Sequence, residues 1–189
     1  MKRRVILGVT GASGAILGLY AARALRAQDI EVHMIVSEAA KLTWELETGL
    51  PFSDLTSMAD VLYENGDTAA RIASGSFRTM GMLIVPCSMK TLAGIVTGYA
   101  ENLILRAADV CLKENRRLVL CPREMPLGKL HLRNLSTAAD LGCAIVPPMM
   151  SFYSGQRTVE EQINHVIGKL MMQFDLEYDA FREWEGVVQ

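Results

Sequence analysis

The sequence has no surplus of positive charge. Its 19 lysines and arginines are set against 21 aspartates and glutamates, a formal net charge of −2 at pH 7. A general nucleic-acid binder is therefore not expected, because no basic excess remains to neutralise a phosphate backbone. Closely spaced cysteines are also missing. Cys87, Cys111, Cys121 and Cys143 stand too far apart for a CxxC pair or a zinc knuckle, and two lie in apolar runs. They read as buried, reduced thiols of a cytoplasmic protein. No apolar stretch is long enough to span a bilayer, so no membrane association is expected. Met1-Lys2-Arg3-Arg4 followed by apolar residues imitates a secretory leader. However, Gly8, Gly11, Gly14 and Gly18 interrupt the run, and Arg23 and Arg26 follow it. Low-complexity segments and internal repeats are absent, and so is a Gly-x-Gly-x-x-Gly fingerprint.

What is present begins at residue 5. Val5-Ile6-Leu7-Gly8-Val9 is an apolar strand that runs into Thr10-Gly11-Ala12-Ser13-Gly14, and a small-residue helical pattern follows at once. That order sets backbone N–H groups and two hydroxyls at the positive end of a helix, where an anionic oxygen can be held without a metal. The turn points to phosphate more clearly than to a dinucleotide, although such a turn can also simply close a βα unit. With 189 residues, half of them hydrophobic, the chain reads as one domain with a substantial core.

Further strands are expected at Glu31–Val36, Met82–Val85, Leu118–Cys121 and Cys143–Val146. Helices are expected from Ser37 to about Thr48, from Cys87–Thr91 to Gly98, over Asn102–Glu114 and over His131–Leu141. A last helix starts at the Thr158/Glu161 capping box. Residues 53–79 are less regular and predict one short helix around Leu55–Tyr63. Alternating strands and helices, apolar on both faces, predict a three-layer αβα domain around a parallel sheet. Ligands in such folds lie outside the carboxyl ends of the strands. Gly11–Gly14, Ser37, Cys87–Thr91 and Arg123-Glu124 all follow strand ends and should meet there.

Most of these residues also have a plain structural reading. Ser37, Ser88 and Thr91 are ordinary helix N-cap residues. Ser37 stands where a nicotinamide-dinucleotide enzyme usually carries an acid, which favours a mononucleotide such as FMN. Lys90 is a cation at a helix start, misplaced unless an anion answers it. Arg106, Asp109 and Lys113 share a helical face and could form a solvated ion-pair ladder. Lys169 lies off the apolar stripe of its helix, Tyr153 could be a packed loop aromatic, and Glu47 could be a surface carboxylate. Glu124, between Pro122 and Pro126 and beside Arg123, is expected to be partly desolvated and able to shuttle a proton near neutral pH. The tail after Phe174 keeps helical spacing through Tyr178, Phe181 and Trp184 and is expected to pack on another subunit.

Taken together and in order, the chain resembles the flavin prenyltransferases (the UbiX family), formerly described as subunits of hydroxyarylic acid decarboxylases. The resemblance rests on Thr10-Gly11-Ala12-Ser13-Gly14, Ser37, Pro86-Cys87-Ser88, Asn102–Val110, Leu112-Lys113-Glu114, Pro122-Arg123-Glu124 and Phe152-Tyr153. It implies a flavodoxin-like, Rossmann-like domain over residues 1–175. Residues 176–189 would form a helical extension at a subunit contact. It also implies a homo-oligomer, a dodecamer, with FMN bound near subunit contacts. The implied reaction moves a dimethylallyl group from dimethylallyl monophosphate to N5 and C6 of reduced FMN, and the prenylated FMN serves a UbiD-type decarboxylase. Carried over by residue, Gly11, Ala12, Ser13, Ser37, Ser88, Met89, Lys90, Thr91 and Arg123 would bind FMN. Arg106, Lys113, Tyr153 and Lys169 would hold the prenyl phosphate from more than one subunit. Ser13 and Glu124 would manage protons, and Glu47 would line the site. Family members often carry arginine where Lys169 stands; lysine keeps the charge but loses the bidentate fork.

The chemistry of the residues agrees with that resemblance. Breaking an allylic C–O bond leaves a phosphate anion, which basic and phenolic donors can stabilise. Aspartate-rich magnesium clusters are absent from the sequence, so no metal is expected. The rivals are a non-catalytic FMN-binding or delivery subunit, a direct decarboxylase, and an FMN-dependent cysteine decarboxylase. The last is disfavoured because His33 falls in a strand and no Pro-x-Met-Asn-x-x-Met-Trp motif occurs.

Overall fold

A computed structural model describes residues 2–153, 155–184 and 186. Six parallel strands form one sheet: β1 (Arg4–Val9), β2 (Glu31–Val36), β3 (Val61–Glu64), β4 (Gly81–Cys87), β5 (Arg117–Pro122) and β6 (Ala144–Ile145), in the order β3-β2-β1-β4-β5-β6. The connecting helices are α1 (Ile16–Ala27), α2 (Glu38–Thr48), the short α3 (Phe52–Thr56), α4 (Met89–Thr97), α5 (Leu103–Lys113), α6 (Lys129–Asp140) and α7 (Val159–Met172).

Both sheet faces are covered. Val5, Leu7 and Val9 of β1 turn to a core shared with α1, α2 and α7, while Ile6 joins Met82 and Ile84 in a second core under α4, α5 and α6. That alternation explains why the strands read as continuous apolar runs. Each fully buried aliphatic side chain stabilises the fold by roughly 1.5–3 kcal/mol. The helix starts are capped locally. Ser37 Oγ accepts from the Ala40 amide at 3.2 Å, Ser88 Oγ from Thr91 at 3.2 Å, and Asn102 Oδ1 from Leu105 at 3.1 Å. The Thr158/Glu161 capping box also forms.

Two expectations are corrected. The helix expected around Leu55–Tyr63 ends at Thr56, and Val61–Glu64 is an edge strand paired with His33–Val36 of β2. Its alternating burial is that of a half-covered strand, and Asp60 pins its start by accepting from the Val32 amide at 2.9 Å. Tyr63 on this strand reaches His33 Nδ1 at 2.8 Å. The tail is likewise not helical over residues 176–184. Asp175 takes a positive φ of 55° and the chain doubles back along α7. There Tyr178 Oη donates to Asn164 at 2.8 Å, and Phe181 lies over Gly168 where no Cβ intervenes. Apolar spacing was satisfied by folding onto α7 within the same chain. Residues 185 and 187–189, part of the expected extension, lie outside the described residues.

Segment 71–79, between β3 and β4, is held by arginines. Arg116 donates to the carbonyls of Phe77 (2.7 Å) and Gly75, and Arg106 Nε donates to Ala73 at 3.2 Å.

All four cysteines are buried and unpaired. Burial pushes the thiols of Cys111 and Cys121 up to about 12 and that of Cys143 up to about 11, and it raises Cys87 as well. A colorimetric thiol titration at pH 8 should find almost no reaction in the folded protein and four equivalents after unfolding in denaturant. Gly81, opening β4, has φ +146°, and an added Cβ would strike the Arg117 carbonyl of the neighbouring strand. Gly81→Ala should destabilise by about 2–3 kcal/mol, which calorimetry would read as a Tm lower by roughly 5–10 °C.

Candidate functional site

The strand order places the reversal of winding between β1 and β4, where the following connections leave in opposite directions and open a crevice. Thr10 spans it. Its hydroxyl donates to the Pro86 carbonyl and accepts from the Ser88 amide, both at 2.8 Å, and its own amide also reaches Pro86. The next connections join the same edge: the Ser37 amide donates to Val9 and the Arg123 amide to Cys87. The loops carrying Gly11–Ser13, Ser37, Ser88–Thr91 and Arg123-Glu124 are thereby tied together. Gly11 is required by this closeness, since an added Cβ would run into Ala39 at the start of α2.

The N-terminus of α1 does hold an anion, but the anion belongs to the chain itself. Glu47, on α2, accepts from the amides of Gly14 (2.8 Å) and Ala15 (3.0 Å). Burial alone would raise its pKa. That effect is outweighed by the Ser13 hydroxyl, the two amides and the nearby Arg123 charge, which hold the carboxyl below its usual range. The expectation that these amides await a ligand phosphate is therefore corrected for Gly14 and Ala15. First-turn amides remain at α4, which begins at Met89 behind the Ser88 cap and carries the exposed Lys90.

Arg123 and Glu124 line a largely apolar cavity of about 520 Å3 with Met89, Met125, Leu135 and Pro148. Glu124 is exposed rather than desolvated, and its carboxylate accepts from the Met125 amide at 3.0 Å. The flanking prolines stiffen the loop but bring no cover over it. Tyr153 and Lys169 line an adjoining cavity of about 260 Å3, and Pro147 and Met149 wall both. Tyr153 is 58 % exposed, and the Lys169 ammonium lies 5.2 Å from the centre of the Phe181 ring.

Arg106 and Lys113 are not brought to this edge in a single chain. Arg106 is engaged by Asp109 at 2.8 Å and by the Ala73 carbonyl. Lys113 ends α5 just before Arg117, which pairs with Gly81 at the amino end of the sheet. Only the first rung of the expected ion-pair ladder forms among the described residues. Sequence reasoning missed Thr10 as a working part of the site, although its hydroxyl stood in the motif. It also missed Pro147 and Met149, whose role as a shared wall no local pattern signals.

Glu47 generates a pH prediction. A carboxyl held below its ordinary value of 4.5 contributes stability above that value, and the contribution is lost as pH falls through the folded-state value. Glu47→Gln should therefore lower Tm at pH 7, and the gap to the parent protein should close as pH falls from 5 to 3. A gap that stays constant across that range would exclude the charged contact.

The flavoprotein family model matches residues 1–188. A "Probable UbiX-like flavin prenyltransferase" of Sedimentibacter hydroxybenzoicus is 58 % identical over 97 % of both chains. The crystal structure of a dodecameric FMN-dependent UbiX-like decarboxylase from Escherichia coli O157:H7 superimposes with a TM-score of 0.94 at 49 % identity, covering 97 % of this chain and 100 % of that one. AnUbiX (PadA1), crystallised with FMN and dimethylallyl pyrophosphate, gives 0.97 at 42 % identity with full coverage of both chains. The peptidyl-cysteine decarboxylase EpiD shares only the fold, with a TM-score of 0.60 at 19 % identity over 79 % of this chain and 88 % of its own. By these matches the chain belongs to the flavoprotein family and, within it, to the UbiX-like flavin prenyltransferases.

Proposed function

We propose that this protein is a flavin prenyltransferase that joins a dimethylallyl group from dimethylallyl monophosphate to N5 and C6 of reduced FMN and releases phosphate. The observation that carries the reading is the pair of adjoining cavities. One is apolar, with Arg123 and Glu124 on its wall, and the other holds Tyr153 and Lys169. The first has the size and lining for a flat heteroaromatic ring, and Met89 on its wall opens α4, whose first-turn amides can meet a nucleotide phosphate. The FMN and dimethylallyl pyrophosphate bound in AnUbiX, and the names of the relatives, support the same reading.

Bound reduced FMN supplies the electron-rich ring that is alkylated. The chain positions, neutralises and moves protons. Ser13 stands close to the ionised Glu47 carboxylate, which favours turning its hydroxyl hydrogen toward Glu47 and leaves its lone pairs to accept a hydrogen bond from a bound flavin. Glu124, exposed on a loop between two prolines, is placed to take a proton from the ring and pass it to solvent. Lys169 and the Tyr153 hydroxyl hold the leaving phosphate, whose developing charge such donors stabilise most as the C–O bond breaks. Arg106 and Lys113, remote from Tyr153 within one chain, reach the phosphate from neighbouring copies.

A homo-oligomer is supported by the dodecameric relative and by apolar side chains exposed around the site, among them Met125, Leu130, Met150 and Phe152. The product would be used by a separate UbiD-type decarboxylase. Among the described residues no helix is long and apolar enough to cross a membrane. The unpaired, buried thiols fit a reducing, cytoplasmic setting.

Anaerobic incubation with reduced FMN and dimethylallyl monophosphate, followed by mass spectrometry of the flavin, should find a gain of one C5 unit. Chelator should not diminish it. Glu124→Gln should slow adduct formation by about 100-fold or more and leave FMN affinity unchanged. Tight binding of a flavin that never gains mass would identify a carrier instead.

A further inference from the structure

One wall of the smaller cavity has no part in the chemistry above. His165 lies on α7, one turn before Lys169, and is only 8 % exposed. Its Nδ1 lies 3.3 Å from Nε2 of Gln156, itself 9 % exposed. The Tyr153 ring meets the imidazole edge to face, with centroids 6.1 Å apart and planes at 88°. On another side Phe181 packs against the imidazole at 5.3 Å, and Phe181 is the ring over which the Lys169 ammonium sits. His165 also lines a second cavity of about 220 Å3, shared with Gln156, Glu161 and Arg182. A single imidazole thus touches one phosphate-facing group directly and reaches the other through one ring.

Burying a histidine and an amide together costs desolvation that an apolar pair would avoid. The hydrogen bond fixes the imidazole plane, and edge-to-face contact transmits that orientation to the neighbouring ring. Burial, and secondarily the charge of Lys169, lowers the pKa of His165. The imidazole is then uncharged at neutral pH and does not repel the ammonium.

We propose that His165 is a positioning residue of the phosphate-holding cavity, tethered by Gln156 and orienting Tyr153 and Lys169 toward one anion. The proposal rests on the prenyl-transfer reading for the identity of that anion, but the arrangement would orient a phosphate group whatever chain it carried.

Trp184, whose ring is 5.5 Å from Tyr153, is a local reporter, since the other tryptophan, Trp44, is buried in the core. Trp184 emission of the purified full-length protein would be titrated with dimethylallyl monophosphate and, separately, with inorganic phosphate. KM, kcat and FMN affinity would be measured alongside. His165→Leu keeps the bulk but removes the aromatic edge. It should weaken both phosphates by about five- to tenfold, raise KM in parallel, and leave kcat within about twofold and FMN affinity unchanged. His165→Phe should recover most of the loss. Gln156→Met, which keeps the imidazole itself but removes its tether, should produce a smaller shift in the same direction and serves if His165→Leu does not fold. The proposal is overturned if affinity and KM are unmoved, if FMN affinity falls along with donor affinity, if phenylalanine does no better than leucine, or if the parent protein binds neither phosphate. A parent protein that binds dimethylallyl monophosphate but never adds C5 to flavin would sink the prenyl-transfer reading, while the affinity series would still decide the role of His165.

Discussion

The hydroxyl of Thr10 joins the ends of β1 and β4 where the winding of the sheet reverses. It donates to Pro86 and accepts from Ser88, so its one donor and one of its two acceptor sites bind the backbone of the opposite loop. The remaining loops are hung from that closure. β2 delivers Ser37 against Val9, and β5 delivers Arg123 against Cys87. A parallel sheet sends every strand end to one edge; Thr10 brings the central two of those ends within contact distance.

Electrostatics then divides the edge between the protein and its ligands. The positive end of α1 is answered internally by Glu47, which is thereby kept ionised and close to Ser13 and Arg123. A carboxylate in that position turns an anion-binding turn into a fixed acceptor for a hydroxyl proton. On the proposed reading, ligand phosphate falls to other groups: the first turn of α4 with Lys90 on one side, and Tyr153 with Lys169 on the other. The tail contributes by folding back on α7, which places Phe181 between His165 and Lys169 and gives a flexible cation a defined seat.

Much of the fold was legible. β2 was expected at Glu31–Val36 and forms there, the helix over Asn102–Glu114 forms with those residues as its caps, and the Thr158/Glu161 box opens α7. Each of these signals acts within about one helical turn or one strand pair. Val61–Glu64 was misread because four residues of alternating burial in a polar region carry little periodicity, and their strand character comes from pairing with β2. The tail was misread because its aromatic spacing suits a helix face and a folded-back strap equally well. Glu124 was expected to be desolvated by its flanking prolines, but proline stiffens a loop without covering it.

Local pattern was sufficient for the alternation of strands and helices, for the parallel sheet and for the edge at which the loops emerge, because period, capping and chain connectivity operate over a few residues. It could not say that Glu47 would occupy the amides of α1, that His165 would stand behind Tyr153, or that Lys113 would lie at the far end of the sheet from Lys169. Glu47 lies 33 and 32 positions from the two amides that it meets, and Tyr153 and His165 sit on a loop and on a helix, so these placements exist only once the helices have packed on both faces of the sheet.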